Sequence, residues 1–237
     1  MTEKQPDYIG HRQRLRQRFL LGEGKDMADY ELIELLLTLA IPRKDVKPLA
    51  KKLLQNFASF ANVITAPDCR LREVDGIKDS SVMVLKLVKV AAQRLCWQNL
   101  TSDDLPVLLN VDNLIDYCRS AIAYAEVEEL HILYLDAKLH IIGNELIQRG
   151  GVSSVNASPR EIVKKAINQN AAGIIMVHNH PSGSPKPSEN DLSLTLKIGQ
   201  ACQLMGIQLQ EHIIITKSDY FSFLEHHLLT ETKFPDK

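Results

Sequence analysis

The chain has 237 residues, of which 45% are hydrophobic, 24% charged and only 5% aromatic. This is ordinary globular usage, which excludes a disordered or fibrous protein and requires a mostly aliphatic core. The formal net charge of -1 shows no global excess that would advertise a partner.

That neutrality conceals an asymmetry. Residues 1–100 hold 17 Lys/Arg against 12 Asp/Glu, a balance of +5, whereas residues 101–237 hold 11 against 17, a balance of -6. A division near residue 100 is therefore expected. The four cysteines, Cys69, Cys96, Cys118 and Cys202, form no CxxC pair, so neither a zinc ribbon nor a thioredoxin-like site is indicated. Scattered thiols fit a reducing, cytoplasmic setting. Met1 to Pro6 carry no apolar run of the kind a secretory signal needs, and no stretch approaches the ~18 apolar residues of a membrane span.

In chain order, residues 8–21 carry Arg12, Arg14, Arg16 and Arg18 among Leu15, Phe19 and Leu20, a short basic helix. Asp29 to Leu37 is apolar at helical spacing and is ended by Pro42; Asp45 to Phe57 is a further helix with Leu49, Ala50, Leu53 and Leu54 on one face. Leu71 to Leu95 holds two helices around a turn at Asp75-Gly76-Ile77. The first part, residues 1–100, thus reads as all-α. Residues 98–106 are polar and end in Pro106, which marks a linker.

Beyond the linker, residues 107–237 form a second domain with mixed periodicity. Val111 to Tyr124 is helical. Glu128 to Leu135 and His140 to Ile147 make a hairpin around Asp136-Ala137-Lys138. A short strand follows Gly150-Gly151. Ser158-Pro159-Arg160-Glu161 starts a helix as a capping box. Ala172 to Val177 is a buried strand, residues 188–205 a helix, and Ile207 to Thr216 and Tyr220 to Leu224 are closing strands. The fold class is α+β: a helical domain, then an α/β sandwich-like domain.

The chemistry concentrates between His178 and Asp191. His178 and His180 are two apart at the end of a strand, so both imidazoles point to one face. Asp191 falls in the first turn of the next helix. Two imidazoles, one carboxylate and an open position make the layout of a catalytic zinc site. Taken singly, each feature has a structural reading. One H-x-H pair among eight histidines is unremarkable, Ser188 and Asp191 form an S-x-x-D capping box, and Pro181, Pro185 and Pro187 stiffen a loop.

Together, the string H-x-H-P-x6-S-x2-D resembles the zinc motif of the JAB/MPN (JAMM) metalloproteases. With its flanks Pro159-Arg160-Glu161 and Glu211 to Ile215 it resembles the bacterial RadC family. The front half agrees in Gly10-His11-Arg12, Asp29 to Leu32 and Ile41 to Asp45. The resemblance implies a JAB/MPN-like, cytidine-deaminase-like domain with a mixed sheet. It implies a zinc ion held by His178, His180 and Asp191, with Ser188 helping to hold an oxyanion. An upstream Glu would act as general base. In RadC-like chains that Glu stands before an apolar strand ending in Leu-Asp, so the resemblance favours Glu128 over Glu129 by its spacing to Leu135-Asp136, and only one of the two adjacent strand residues can face the metal. Glu161 is a rival with a sufficient capping role. His212 matches a family position and borders the site without being a ligand. His131, His140, His226 and His227 are read as structural.

Leu71 to Ser81 resembles a helix-hairpin-helix, in which backbone N–H groups meet a phosphate. Gly76 is kept, but Lys78 stands where the second glycine belongs, which weakens close backbone approach. Two functions follow. One is a zinc-dependent hydrolase of peptide or isopeptide bonds, with a peptide or protein substrate. The other is a DNA-binding accessory protein of repair or recombination.

Overall fold

The computed structural model describes residues 10–102, 105–150 and 158–229. It comprises two compact units, residues 1–92 and 93–237. The strand expected after Gly151 lies outside the described residues.

The first unit is helical, with α1(His11–Gly22), α2(Asp29–Ala40), α3(Lys47–Phe57), α4(Phe60–Thr65), α5(Asp68–Arg72) and the start of α6(Asp79–Thr101). α2 begins where Glu31 reaches back to accept from the Ala28 N–H at 3.0 Å. α3 carries Pro48 near its start, where no N–H is missed, and buries Ala50 and Leu53 three residues apart. Ser59 caps α4 by accepting from the Asn62 N–H at 3.1 Å. Ile33, Leu37, Leu53, Val63, Leu71 and Leu85 meet in an aliphatic core. Gly76 closes the turn between α5 and α6 at φ +97°, a conformation that β-carbon-bearing residues rarely adopt.

The linker expected over residues 98–106 starts instead as helix. α6 continues through Thr101, and Leu100 is only 5% exposed, in the core of the second unit. A polar surface run hid a helix whose apolar residues have a buried face to fill.

The second unit is an α/β sandwich. After a 3-10 turn at Val107–Leu109 come α7(Val111–Ile122), β1(Glu129–Leu135), β2(Ile141–Arg149), α8(Pro159–Asn168), β3(Gly173–Asn179), α9(Glu189–Leu204), β4(Gln208–Ile215) and β5(Tyr220–Ser222). The sheet order is β2-β1-β3-β4-β5. β3 and β4 are parallel around the α9 crossover, and every other pair is antiparallel, so the sheet is mixed.

Strand alternation divides the core between the two faces. Leu133, Leu135, Ile175, Val177, Ile213 and Ile215 pack on α7. Leu130, Ile132, Tyr134, Ile174 and Met176 pack on α8 and α9. β3 is buried along its whole length, as a central strand covered on both sides must be.

Candidate metal centre

The parity of β3 fixes where its histidines go. Ile174 and Met176 face α9, so His178 and then His180 leave the strand end on that same face. Asp191 reaches the same point from the first turn of α9. Ser188 is the N-cap of that helix and accepts from the Asp191 N–H at 3.2 Å. The Asp191 Oδ2 accepts in return from the Ser188 N–H at 2.7 Å and the Ser188 hydroxyl at 2.6 Å. The capping box therefore aims the carboxylate.

His178, His180 and Asp191 offer ligand atoms that all lie within 4.8 Å of one another. The two Nε2 atoms are 2.9 Å apart. Asp191 Oδ1 is 3.3 Å from His178 Nε2, and Oδ2 is 3.5 Å from His180 Nε2. His178 and Asp191 are buried, and His180 is half-buried.

The hydrogen bonds fix the tautomers. His180 Nδ1 is 2.8 Å from the Ser184 carbonyl, which can only accept, so Nδ1 carries the proton. The Thr195 hydroxyl donates to the Asp191 carbonyl at 2.6 Å and so accepts from His212 Nδ1, also at 2.6 Å. His212 is fully buried, and that burial holds its pKa well below the usual imidazole value. A neutral His212 then presents Nε2 as an acceptor to His178 Nδ1, 2.8 Å away. When the two imidazoles are neutral, both ligand-side Nε2 atoms present lone pairs toward each other and toward a carboxylate. Such a convergence is repulsive until a cation occupies it, so the donor set fits a divalent metal bound by nitrogen and oxygen.

Burial alone would raise the Asp191 carboxyl, but its neighbours His178, His180 and Ser188 hold it well below the ordinary carboxylate range. Asp191 in turn raises His180 above the usual imidazole value, so in the absence of a metal a proton competes for its Nε2.

The candidate carboxylates separate by position. Glu128 directly precedes β1, is half-buried, and lines one small cavity with His178 and Asp191. Leu130 pairs with His178, so two residues back along the same face Glu128 stands beside the end of β3. Glu129 also borders that cavity, but its carboxylate is engaged by His131 at 3.2 Å and Arg149 at 3.2 Å. Glu161 is exposed in the first turn of α8. Its expected capping partner differs, because the Ser158 side chain makes no capping hydrogen bond. Pro159 and the backbone bond from the Glu161 N–H to the Ser158 carbonyl suffice to start that helix.

Three positioning residues escaped the sequence reading. Asn179, fully buried, accepts from the Glu129 N–H at 2.8 Å and donates to the Val127 carbonyl at 3.1 Å. It thereby holds the segment that carries Glu128. Thr195 anchors His212, and Glu211 ties β4 to β5 by accepting from the Ser222 hydroxyl and the Leu224 N–H. A residue between two histidines on a strand faces the other way and is a candidate clamp, a signal that was present for Asn179. Among the remaining histidines, His131 pairs with Glu129, His140 with Asp136, and His226 with the Ser222 carbonyl.

Residues 108–228 match the RadC-like JAB domain. A UPF0758 protein of Ruegeria pomeroyi is 43% identical over 219 residues, 92% of this chain and 97% of that protein. One of Rhodobacter capsulatus is 45% identical over 215 residues, 91% of this chain and 100% of its own length. One of Fusobacterium nucleatum is 41% identical over 234 residues, covering 97% and 100%. The sandwich, the paired histidines at the end of its central strand and these likenesses together identify the chain as a member of the RadC family.

Proposed function

We propose that the second unit is a zinc-dependent hydrolase of peptide or isopeptide bonds. The observation that carries this reading is the convergence of the His178 and His180 imidazoles and the Asp191 carboxylate beside a second carboxylate, that of Glu128. His178, His180 and Asp191 would hold the metal. Zinc bound there supplies Lewis acidity, lowering the pKa of a coordinated water toward ~7.

The chain's own residues do the rest. The Glu128 carboxylate takes a proton from the attacking water as its oxygen adds to the substrate carbonyl carbon. It returns that proton to the leaving amine nitrogen as the C–N bond breaks. Asn179 keeps Glu128 in reach. The Ser188 hydroxyl donates to Asp191 in this arrangement, so oxyanion contact requires it to rotate toward the substrate. Glu128→Gln keeps the shape and removes the base. Zinc-loaded Glu128→Gln is expected to match the native zinc content and to lose about 10²–10⁴-fold in peptide-library turnover. Retained turnover contradicts the assignment.

A second reading concerns the first unit. The balance of 16 Lys/Arg against 12 Asp/Glu over residues 1–92 and the turn at Gly76 support a nucleic-acid-binding role. The two readings use different units and are compatible. Among the described residues no helix is long and apolar enough to cross a membrane.

A further inference from the structure

Glu34 on α2 is 1% exposed, yet only half of its carboxylate is satisfied. Oε1 accepts from His11 Nε2 at 2.8 Å. Oε2 is buried and has no hydrogen-bond partner among the described residues. Buried polar atoms are almost always paired, so such an orphan marks a place where something else binds. Glu34 lines a cavity of about 220 Å³ with His11, Arg12, Arg43 and Lys44.

The walls of this cavity are fixed. The Arg12 guanidinium donates to the Ile41 carbonyl at 2.8 Å and to the carbonyls of Pro42 and Lys44. It is committed to holding that turn. Arg43 and Lys44 remain exposed at the rim. A larger cavity of about 590 Å³ shares Pro42, Lys44, Asp45 and Val46 with the first, and extends past Lys52 to Gly76 and Lys78. Asp45 lines both cavities and Asp75 the larger one, and the Asp45 carboxylate accepts from the Lys47 N–H at 3.0 Å. The start of α6 is not the anion seat, because Asp79 there is paired with Arg72.

A buried, unpartnered acceptor on a residue lining one cavity and three lysines along the next call for a particular ligand. It carries an N–H donor on a compact group and negative charge on a flexible extension. A nucleotide has that form. We propose that the two cavities act as one groove for an unpaired nucleotide of a nucleic-acid strand, its base N–H donating to Glu34 Oε2 and its flanking phosphates lying on Lys44, Lys52 and Lys78. This rests on the nucleic-acid reading of the first unit and is independent of the metal centre. Base contact would give preference, and lysine contact would give affinity without preference.

The test compares a short oligo(dC) strand with an abasic strand of the same length, binding to the full chain by fluorescence anisotropy. The native protein is expected to bind oligo(dC) about tenfold more tightly. Glu34→Gln should lose most of that preference while binding the abasic strand unchanged, with a thermal melt confirming its fold. Lys52→Ala with Lys78→Ala should weaken both strands alike and flatten the salt dependence. Equal affinity of the native protein for the two strands overturns the base pocket even where DNA binding itself persists. No binding at low salt overturns the proposal together with the nucleic-acid reading.

Discussion

A single proton position carries much of the metal-centre argument. His178 can turn Nε2 to a metal only because His212 receives its Nδ1–H, and His212 can do so only because Thr195 takes the proton on its far side. Replacing His212 by Phe removes the acceptor while keeping the ring stacked on Phe223, 4.4 Å away between centroids. Zinc affinity is expected to fall about 10–100-fold by competition with a chelator dye, and His212→Gln should recover part of it. Native affinity in His212→Phe would remove His212 from the centre. His178, His180 and Asp191 were legible because strand alternation and a capping box are local rules. The roles of His212, Thr195 and Asn179 were not. His212 reaches His178 across 34 residues and Asn179 reaches Glu129 across 50, contacts that only sheet register creates.

At the scale of elements, β4 and β5 are joined by a buried carboxyl. Burial raises the Glu211 pKa even though Ser222, Leu224 and His212 hydrogen bond to the carboxylate. A carboxyl whose pKa is higher folded than unfolded favours folding most below the unfolded value of about 4.3, and this is lost as pH rises through the folded value. Glu211→Gln removes that titration. Denaturant unfolding should show native stability, relative to Glu211→Gln, declining as pH rises above the unfolded value of about 4.3. A difference independent of pH contradicts the raised pKa. Most elements were legible in the sequence, because helix periodicity and strand alternation are carried by the aliphatic residues that fill each face. The Ser158 cap was misjudged, since the right residue type does not ensure that its hydroxyl turns toward the helix.

For the whole molecule, the boundary between the two units falls within α6. Residues 98–101 are polar by composition, but Leu100 and Trp97 pack in the second unit's core. A fragment beginning at residue 93 should therefore be more stable than one beginning at residue 107, by about 2 kcal/mol for the loss of Leu100 alone. Equal stability in denaturant would return residues 98–106 to linker status. Composition could not reveal that α6 continues across the boundary between residues 92 and 93. The proposed metal ion of the second unit is tested most directly by zinc titration of the full, chelator-stripped chain, read by bound metal and by thermal unfolding together. About one equivalent of zinc with a raised Tm is expected, and loss of both in His178→Ala, His180→Ala and Asp191→Ala. No bound zinc, or equal binding in those variants, would contradict it.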